Sequence, residues 1–216
     1  MRFLVTAGPT REHLDPVRFL SNRSTGRMGF AVAAAAAEAG HAVTLVAGPV
    51  ALGTPPGAAR VDVVSARDML AAVQAHLPGA DVLVMTAAVA DWRPRHMAAA
   101  KLKKAAMNPV IELEPNPDIL GTLAPAKDGR LFVGFAAETG DPLPEARRKL
   151  AAKGLDLIVA NDVSRSDSGF AVETNRVTLI GADGTFTPLP LLTKIEVARE
   201  IVKWCEAQRA RTTEAT

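Results

Sequence analysis

The run RFLVTAGPT, from Arg2 to Thr10, decides the fold. Phe3 to Ala7 carries no charge, and Gly8-Pro9-Thr10 ends the run, which is how a strand buried on both faces of a parallel sheet reads. A glycine-proline turn at that point leaves the strand's carboxyl end facing a loop. Working outward, a polar stretch from Arg11 to Gly29 leads into FAVAAAAAEA, Phe30 to Ala39, whose alanine density makes a helix that Gly40 stops. His41 to Ala47 is the next strand, closed by Gly48-Pro49. This is a βαβ unit, and the order continues: Arg60 to Val64 is a strand, Ala66 to His76 a helix ahead of Pro78-Gly79, and Asp81 to Thr86 a fourth apolar strand. The expected class is α/β, a Rossmann-like, doubly wound, mostly parallel sheet with ligands beyond the carboxyl ends of its strands.

The second half departs from strict alternation. Ala98 to Asn108 is lysine-rich and irregular, and Asn116 to Leu123 reads as a short helix entered through Pro117. Leu131 to Ala136 is a strand, Leu143 to Lys153 a helix and Leu155 to Ala160 a strand. Asn175 to Ile180 and Gly184 to Pro188 then suggest a β-hairpin around Ala182-Asp183-Gly184, expected to lie at the sheet edge and to serve a dimer contact. Asn161-Asp162-Val163 is a second interface candidate. Thr193 to Ala207 closes the fold as an amphipathic helix, and residues 208–216 read as a disorder-leaning tail of a single domain spanning 1–216.

Composition excludes several function classes. The longest small-residue run, Phe30 to Ala37, is interrupted by Glu38 and is too short for a bilayer, so no membrane segment is expected. Met1 to Thr6 enters a strand with no apolar targeting region, which predicts a cytoplasmic location. Cys205, the one cysteine, forms no internal disulfide and has no metal-ligand spacing around it. A net charge of +2, with basic residues not interleaved with aromatics, gives no reason to expect nucleic acid as a partner. The histidines, His13, His41, His76 and His96, lack zinc-site spacing, and no hydrolytic triad is suggested.

Several stretches could carry chemistry. Gly8 in its turn and the helix-opening loop with Ser21, Asn22, Ser24, Thr25 and Gly26 are read together as a phosphate or substrate loop, because the N–H groups and hydroxyls before a helix suit an anion. An ordinary capped helix start would read the same way. The loop is neither a Walker A sequence nor a G-x-G-x-x-G fingerprint. After the fourth strand, Met85-Thr86-Ala87-Ala88-Val89-Ala90 offers small residues that let a flat base approach the backbone, and Asp91 can accept from a ribose hydroxyl or hold a metal. The Lys101-Leu102-Lys103-Lys104 cluster suits polyphosphate carried on a mobile flap, although a charge run is most often a solvated loop. Lys149 and Lys153 stand one helical turn apart. Asn116-Pro117-Asp118-Ile119 reads as a helix start with free amides, and Phe135 could stack on a base or simply fill the core.

Taken together, VTAGPTRE, SNRSTGRMG, AAVADWRP, KLKK, NPDI, GFAAET and ANDVS closely resemble, in order and spacing, the phosphopantothenate-cysteine ligase family in its bacterial, CTP-using form. The resemblance runs from Phe3 to about Arg199. It implies that 4'-phosphopantothenate and L-cysteine are joined in coenzyme A biosynthesis through an acyl-cytidylate, with Mg²⁺, in a homodimer. It also implies that Met85, Thr86 and Ala87 meet the cytosine nucleotide, that Asp91 binds its sugar and that Lys101 binds its phosphates. Asn116, Pro117, Asp118, Ile119, Phe135, Lys149 and Lys153 would complete that site, and Asn22 would handle the intermediate. Many bacterial members are fused behind a flavin-dependent decarboxylase, but this chain begins at the ligase's first strand, so FMN is not expected. Trp92 stands where tyrosine or phenylalanine is frequent, and Ala99-Ala100 replaces a more polar approach to the lysines.

Two other functions fit parts of the pattern. An NAD(P)-dependent reductase shares the βαβ order, but such enzymes usually protonate through a Tyr-x-x-x-Lys pair and this chain has no tyrosine. A non-catalytic nucleotide-binding module would keep the loop and lack any use for Lys101 or Asn22.

Overall fold

The computed structural model describes residues 1–104, 110–164 and 172–214. In chain order the elements are β1 Arg2–Ala7, β2 Arg11–His13, β3 Phe19–Ser21, α1 Arg27–Glu38, β4 Ala42–Ala47, β5 Ala58–Asp62, α2 Ala66–His76, β6 Val82–Met85, β7 Trp92–Pro94, β8 Leu113–Pro115, α3 Ile119–Leu123, β9 Leu131–Glu138, α4 Leu143–Ala152, β10 Leu157–Asp162, β11 Thr174–Asn175, β12 Val177–Gly181, β13 Phe186–Pro188, β14 Leu192–Thr193 and α5 Lys194–Glu214. Among the described residues the main sheet has eight strands, in the order β13-β12-β10-β9-β6-β1-β4-β5. Every neighbouring pair from β5 to β10 is parallel, and β12 and β13 add an antiparallel edge. The chain leaves β1 to build β4 and β5 on one side, then crosses back to build β6, β9 and β10 on the other. The reversal lies between the carboxyl ends of β1 and β6, where an open α/β sheet binds its ligands.

The alternation of side chains along β1 explains the two layers. Phe3, Val5 and Ala7 join one apolar cluster with Phe30, Val32 and Ala33 of α1 and Val197 and Ile201 of α5. Leu4 points to the opposite cluster, with Met69 and Val73 of α2, Ile119 of α3 and Ala146 of α4. Helices on both faces keep every central strand apolar, which is why the sheet was legible as continuous hydrophobic runs.

Three local expectations need correction. Residues 11–29 are not simply a polar loop, because β2 and β3 pair there as an antiparallel hairpin, with Arg11 opposite Ser21. Three-residue strands are too short to show a period of two, and the turn is set by Asp15, whose Oδ1 accepts the Val17 and Arg18 N–H groups at 2.9 and 2.8 Å. Helix α1 starts at Arg27 rather than Phe30, on Gly26, whose φ of 78° is left-handed. Helix α5 continues past Ala207 to Glu214, where a disorder-leaning tail was expected. Gln208 Nε2 and Arg211 Nη2 donate to Asp183 Oδ2 at 2.6 and 2.8 Å, which pins this end to the β12–β13 turn. No helix among the described residues is long and apolar enough to cross a membrane.

Candidate functional site

Packing at the reversal point is close. A Cβ on Gly29 would lie inside contact distance of Thr86 Oγ1 and 2.5 Å from the Ala7 Cβ. The first turn of α1 therefore rests on the ends of β1 and β6. Gly29→Ala is expected to cost about 1–3 kcal/mol through overpacking, read as a lower melting temperature; an unchanged melting temperature would show that the helix can move away. A Cβ on Gly26 would lie 3.3 Å from the Gly8 Cα, so two left-handed glycines stack beneath the loop.

Two threonines with no exposure fix the chain beyond β6. Thr6 Oγ1 accepts the Ala87 N–H at 3.2 Å, and the Thr6 carbonyl accepts from Thr86 Oγ1 at 2.6 Å. Thr10 Oγ1 accepts the Ala90 N–H at 3.0 Å. The Ala88 N–H donates to the Gly8 carbonyl at 2.9 Å. Asn22 extends from the end of β3 and donates through Nδ2 to the carbonyls of Ala88 (3.0 Å) and Val89 (3.3 Å). Asn116 Nδ2 donates to the Ala90 carbonyl at 2.8 Å, and the Asn116 N–H donates to the Asp91 carbonyl at 2.8 Å. Arg93 orients Asn116 by donating to its Oδ1 at 3.0 Å.

These residues form one wall of a cleft of about 870 Å³. Met85 to Asp91 and Asn22 lie along it, Asn116 to Ile119 and half-buried Phe135 face it, and Lys149 and Lys153 of α4 and its cap close it. Lys149 Nζ donates to Glu138 Oε1 at 2.8 Å, and Lys153 pairs with the Asp118 carboxylate. Burial opposes ionisation of Asp118, but the Lys153 hydrogen bond and the Gly121 N–H outweigh it and hold the carboxyl below its ordinary range. Asp118, not Pro117, is the α3 cap, accepting the Gly121 N–H at 3.1 Å. The free amides expected after Pro117 are thus partly spent, because an aspartate at that position reaches into the first turn.

Thr86, Phe135 and Ala137 also border a tighter recess of about 70 Å³ at the head of α1. Ser24, Thr25 and Gly26 line it from one side, and Asn161, Asn175 and Lys194 from the other. Burial lowers the pKa of Lys194, with Glu173 opposing the shift. Asn161 is buried, its Nδ2 3.4 Å from Asn175 Oδ1, and it lines the recess.

Three expected residues are not in these linings. Ser21 Oγ donates to the Thr10 carbonyl at 2.7 Å and so closes the β2–β3 hairpin. Gly8 lies under the loop. Lys101 is exposed and outside the cleft lining, on a segment whose Leu102 N–H donates to Asp15 Oδ2 at 3.2 Å. The lysine-rich stretch is described only to Lys104; residues 105–108 of it lie outside the described residues.

The fully buried Asp15 carboxylate is held well below its ordinary range by the Arg18 guanidinium, with burial opposing and the Val17, Arg18 and Leu102 N–H groups adding to the effect. Because its folded value lies below the unfolded one, its stabilisation is full above the ordinary value of 3.8 and is lost as pH falls toward the folded value. Slow hydrogen exchange at the Leu102 amide is therefore expected to persist at about pH 5; loss of protection there would contradict this assignment.

Sequence reasoning missed Thr6, Thr10, Asp15, Arg93, Asn175 and Lys194. Asp15-Pro16 was a readable turn signal, whereas Asn175 reaches the recess from β11 and Lys194 from the start of α5, where no local pattern marks them. Among the described residues there is no group of three or more potential metal-ligating side chains.

Residues 1–208 match the family model described as DNA/pantothenate metabolism flavoprotein C-terminal domain. The chain is 46% identical over 212 residues to the "Coenzyme A biosynthesis bifunctional protein CoaBC" of Bacillus subtilis, covering 98% of this chain and 52% of that protein. It is 50% identical over 188 residues to the protein of the same name from Escherichia coli K12, covering 85% and 46%. It thus spans about half the length of these relatives. A crystal structure of the C-terminal domain of a CoaBC protein is 47% identical, with a TM-score of 0.84, covering 97% of this chain and 96% of that one.

Proposed function

Because the chain belongs to the DNA/pantothenate metabolism flavoprotein C-terminal domain family, we propose that it is the ligase that joins 4'-phosphopantothenate to L-cysteine at the expense of CTP, in the cytoplasm, for coenzyme A biosynthesis. The observation that carries this reading is the cleft at the sheet's reversal point, whose lining gathers the Met85–Ala90 main chain, Phe135, Lys149 and Lys153; we assign the main chain and Phe135 to the base and the two lysines to the phosphates. In the first step a carboxylate oxygen of 4'-phosphopantothenate attacks the α-phosphorus of CTP, and the bond to the β-phosphate oxygen breaks to release pyrophosphate. In the second, the cysteine amine attacks the acyl carbon, the bond to the cytidylate oxygen breaks, CMP leaves and the amine loses a proton.

Here Met85, Thr86 and Ala87 bind the base through main chain, Asp91 takes the sugar, and Asn116, Pro117, Asp118 and Ile119 close over it. Lys149 and Lys153 exchange their carboxylate partners for phosphate oxygens, and Lys101 meets the phosphate tail. Asn22 orients the mixed anhydride as an uncharged donor. With no cluster of protein ligands among the described residues, Mg²⁺ would be carried on the nucleotide's own phosphates, which suits an ion that binds few carboxylates and keeps its water. It would supply charge neutralisation. Ser24, Thr25 and Gly26 offer the adjoining recess to the other end of the acyl substrate.

A homodimer is part of this reading. It is supported by the exposed large apolar residues Val17, Phe19, Trp92 and Leu113 on or beside the small antiparallel pairs β2–β3 and β7–β8, at 57%, 40%, 54% and 40% exposure. A monomer at micromolar concentration would contradict it. The chemistry is tested by incubating the protein with both acids, CTP and Mg²⁺: the expected product has their summed mass less one water. CTP binding with no such product would favour a non-catalytic module.

A further inference from the structure

Asp15 ties two distant segments together. While its Oδ1 closes the β2–β3 turn, its Oδ2 accepts Arg18 Nε at 3.0 Å, Arg18 Nη2 at 2.6 Å and the main-chain N–H of Leu102 at 3.2 Å. Arg18 Nη2 also donates to the Leu102 carbonyl at 3.0 Å, so both main-chain groups of Leu102 are held by one ion pair. The Ala98 N–H adds a tie to the Leu14 carbonyl at 2.9 Å. A buried carboxylate is costly unless its partners are all made. Closing the turn needs only Oδ1, and the rest of the group's bonding goes to Arg18 and Leu102.

We infer that Asp15 is a positioning residue for Lys101, fixing through Arg18 and Leu102 the main chain from which that lysine projects; this rests on the reading of Lys101 given above. Asp15→Asn keeps the shape and the Oδ1 bonds but removes the charge and the second acceptor. It is expected to lower kcat by about 10- to 100-fold, the scale of a small misplacement, and, because a buried ion pair is broken, to lower the melting temperature as well, so the rates are compared well below the variant's own melting temperature. The double variant Asp15→Asn/Lys101→Gln is expected to be no slower than Lys101→Gln alone, because the lysine that Asp15 places is already gone.

A slow Lys101→Gln beside a wild-type Asp15→Asn would overturn the inference alone, as would losses that multiply in the double variant. Wild-type rates in Lys101→Gln would overturn the reading of Lys101 and the inference with it. Should Asp15→Asn fail to fold, hydrogen exchange on the unmodified protein decides: the Leu102 amide is expected to exchange at least about 10-fold more slowly than those of Lys103 and Lys104, and equal rates would overturn the clamp.

Discussion

Replacing Lys101 by glutamine is expected to lower turnover by about 10²- to 10³-fold in a protein that stays folded and still binds CTP. Attack on the α-phosphorus moves negative charge onto the departing pyrophosphate, and a fixed ammonium offsets charge that grows in the transition state more than charge already present in the bound nucleotide. Glutamine preserves a polar side chain of similar reach without the charge. Lys101 is exposed and packs into neither apolar cluster, so folding should not depend on it. The loss should fall on kcat, with a smaller change in the KM for CTP. Steady-state pyrophosphate release checks this, and wild-type kinetics would remove Lys101 from the reaction.

Asn22→Asp is expected to separate the two steps. In the structure Asn22 donates to the Ala88 and Val89 carbonyls. A carboxylate there donates nothing, faces two carbonyl oxygens and brings negative charge beside an anionic acyl-cytidylate. The amine attack that consumes the intermediate is expected to slow by about 10²-fold or more, while a first turnover of pyrophosphate persists. Quenched samples should then contain a species with the mass of phosphopantothenoyl-cytidylate, bound in amounts approaching that of enzyme. Full turnover with no such species would take Asn22 off the catalytic list.

How much of this was readable differs by element, for physical reasons. β1, β4, β6, β9 and β10 are buried on both faces, so their sequences are continuous apolar runs and gave the sheet directly. β2, β3, β7 and β8 span three residues each, too few for any periodicity, and their pairing depends on side chains such as Asp15 and Arg93. Asn22, Asn116, Asp118, Phe135, Lys149 and Lys153 are ordinary cap, core or surface residues one by one. Only their joint order suggested a site, and the fold brings them to one cleft. Ser21 and Gly8 were assigned to the substrate loop because hydroxyls and glycines near a helix start suit an anion. The β2–β3 pairing instead turns the Ser21 hydroxyl to Thr10, and Gly8 packs under Gly26. Local sequence does not reveal such choices between partners, because they are made by strand pairing.

The central claim is nucleotide-driven ligation, and pyrophosphate release tests it most directly, measured with 4'-phosphopantothenate, L-cysteine and Mg²⁺, comparing CTP with ATP and omitting each substrate in turn. The account predicts release that requires 4'-phosphopantothenate and is faster with CTP; no release with either nucleotide would contradict it.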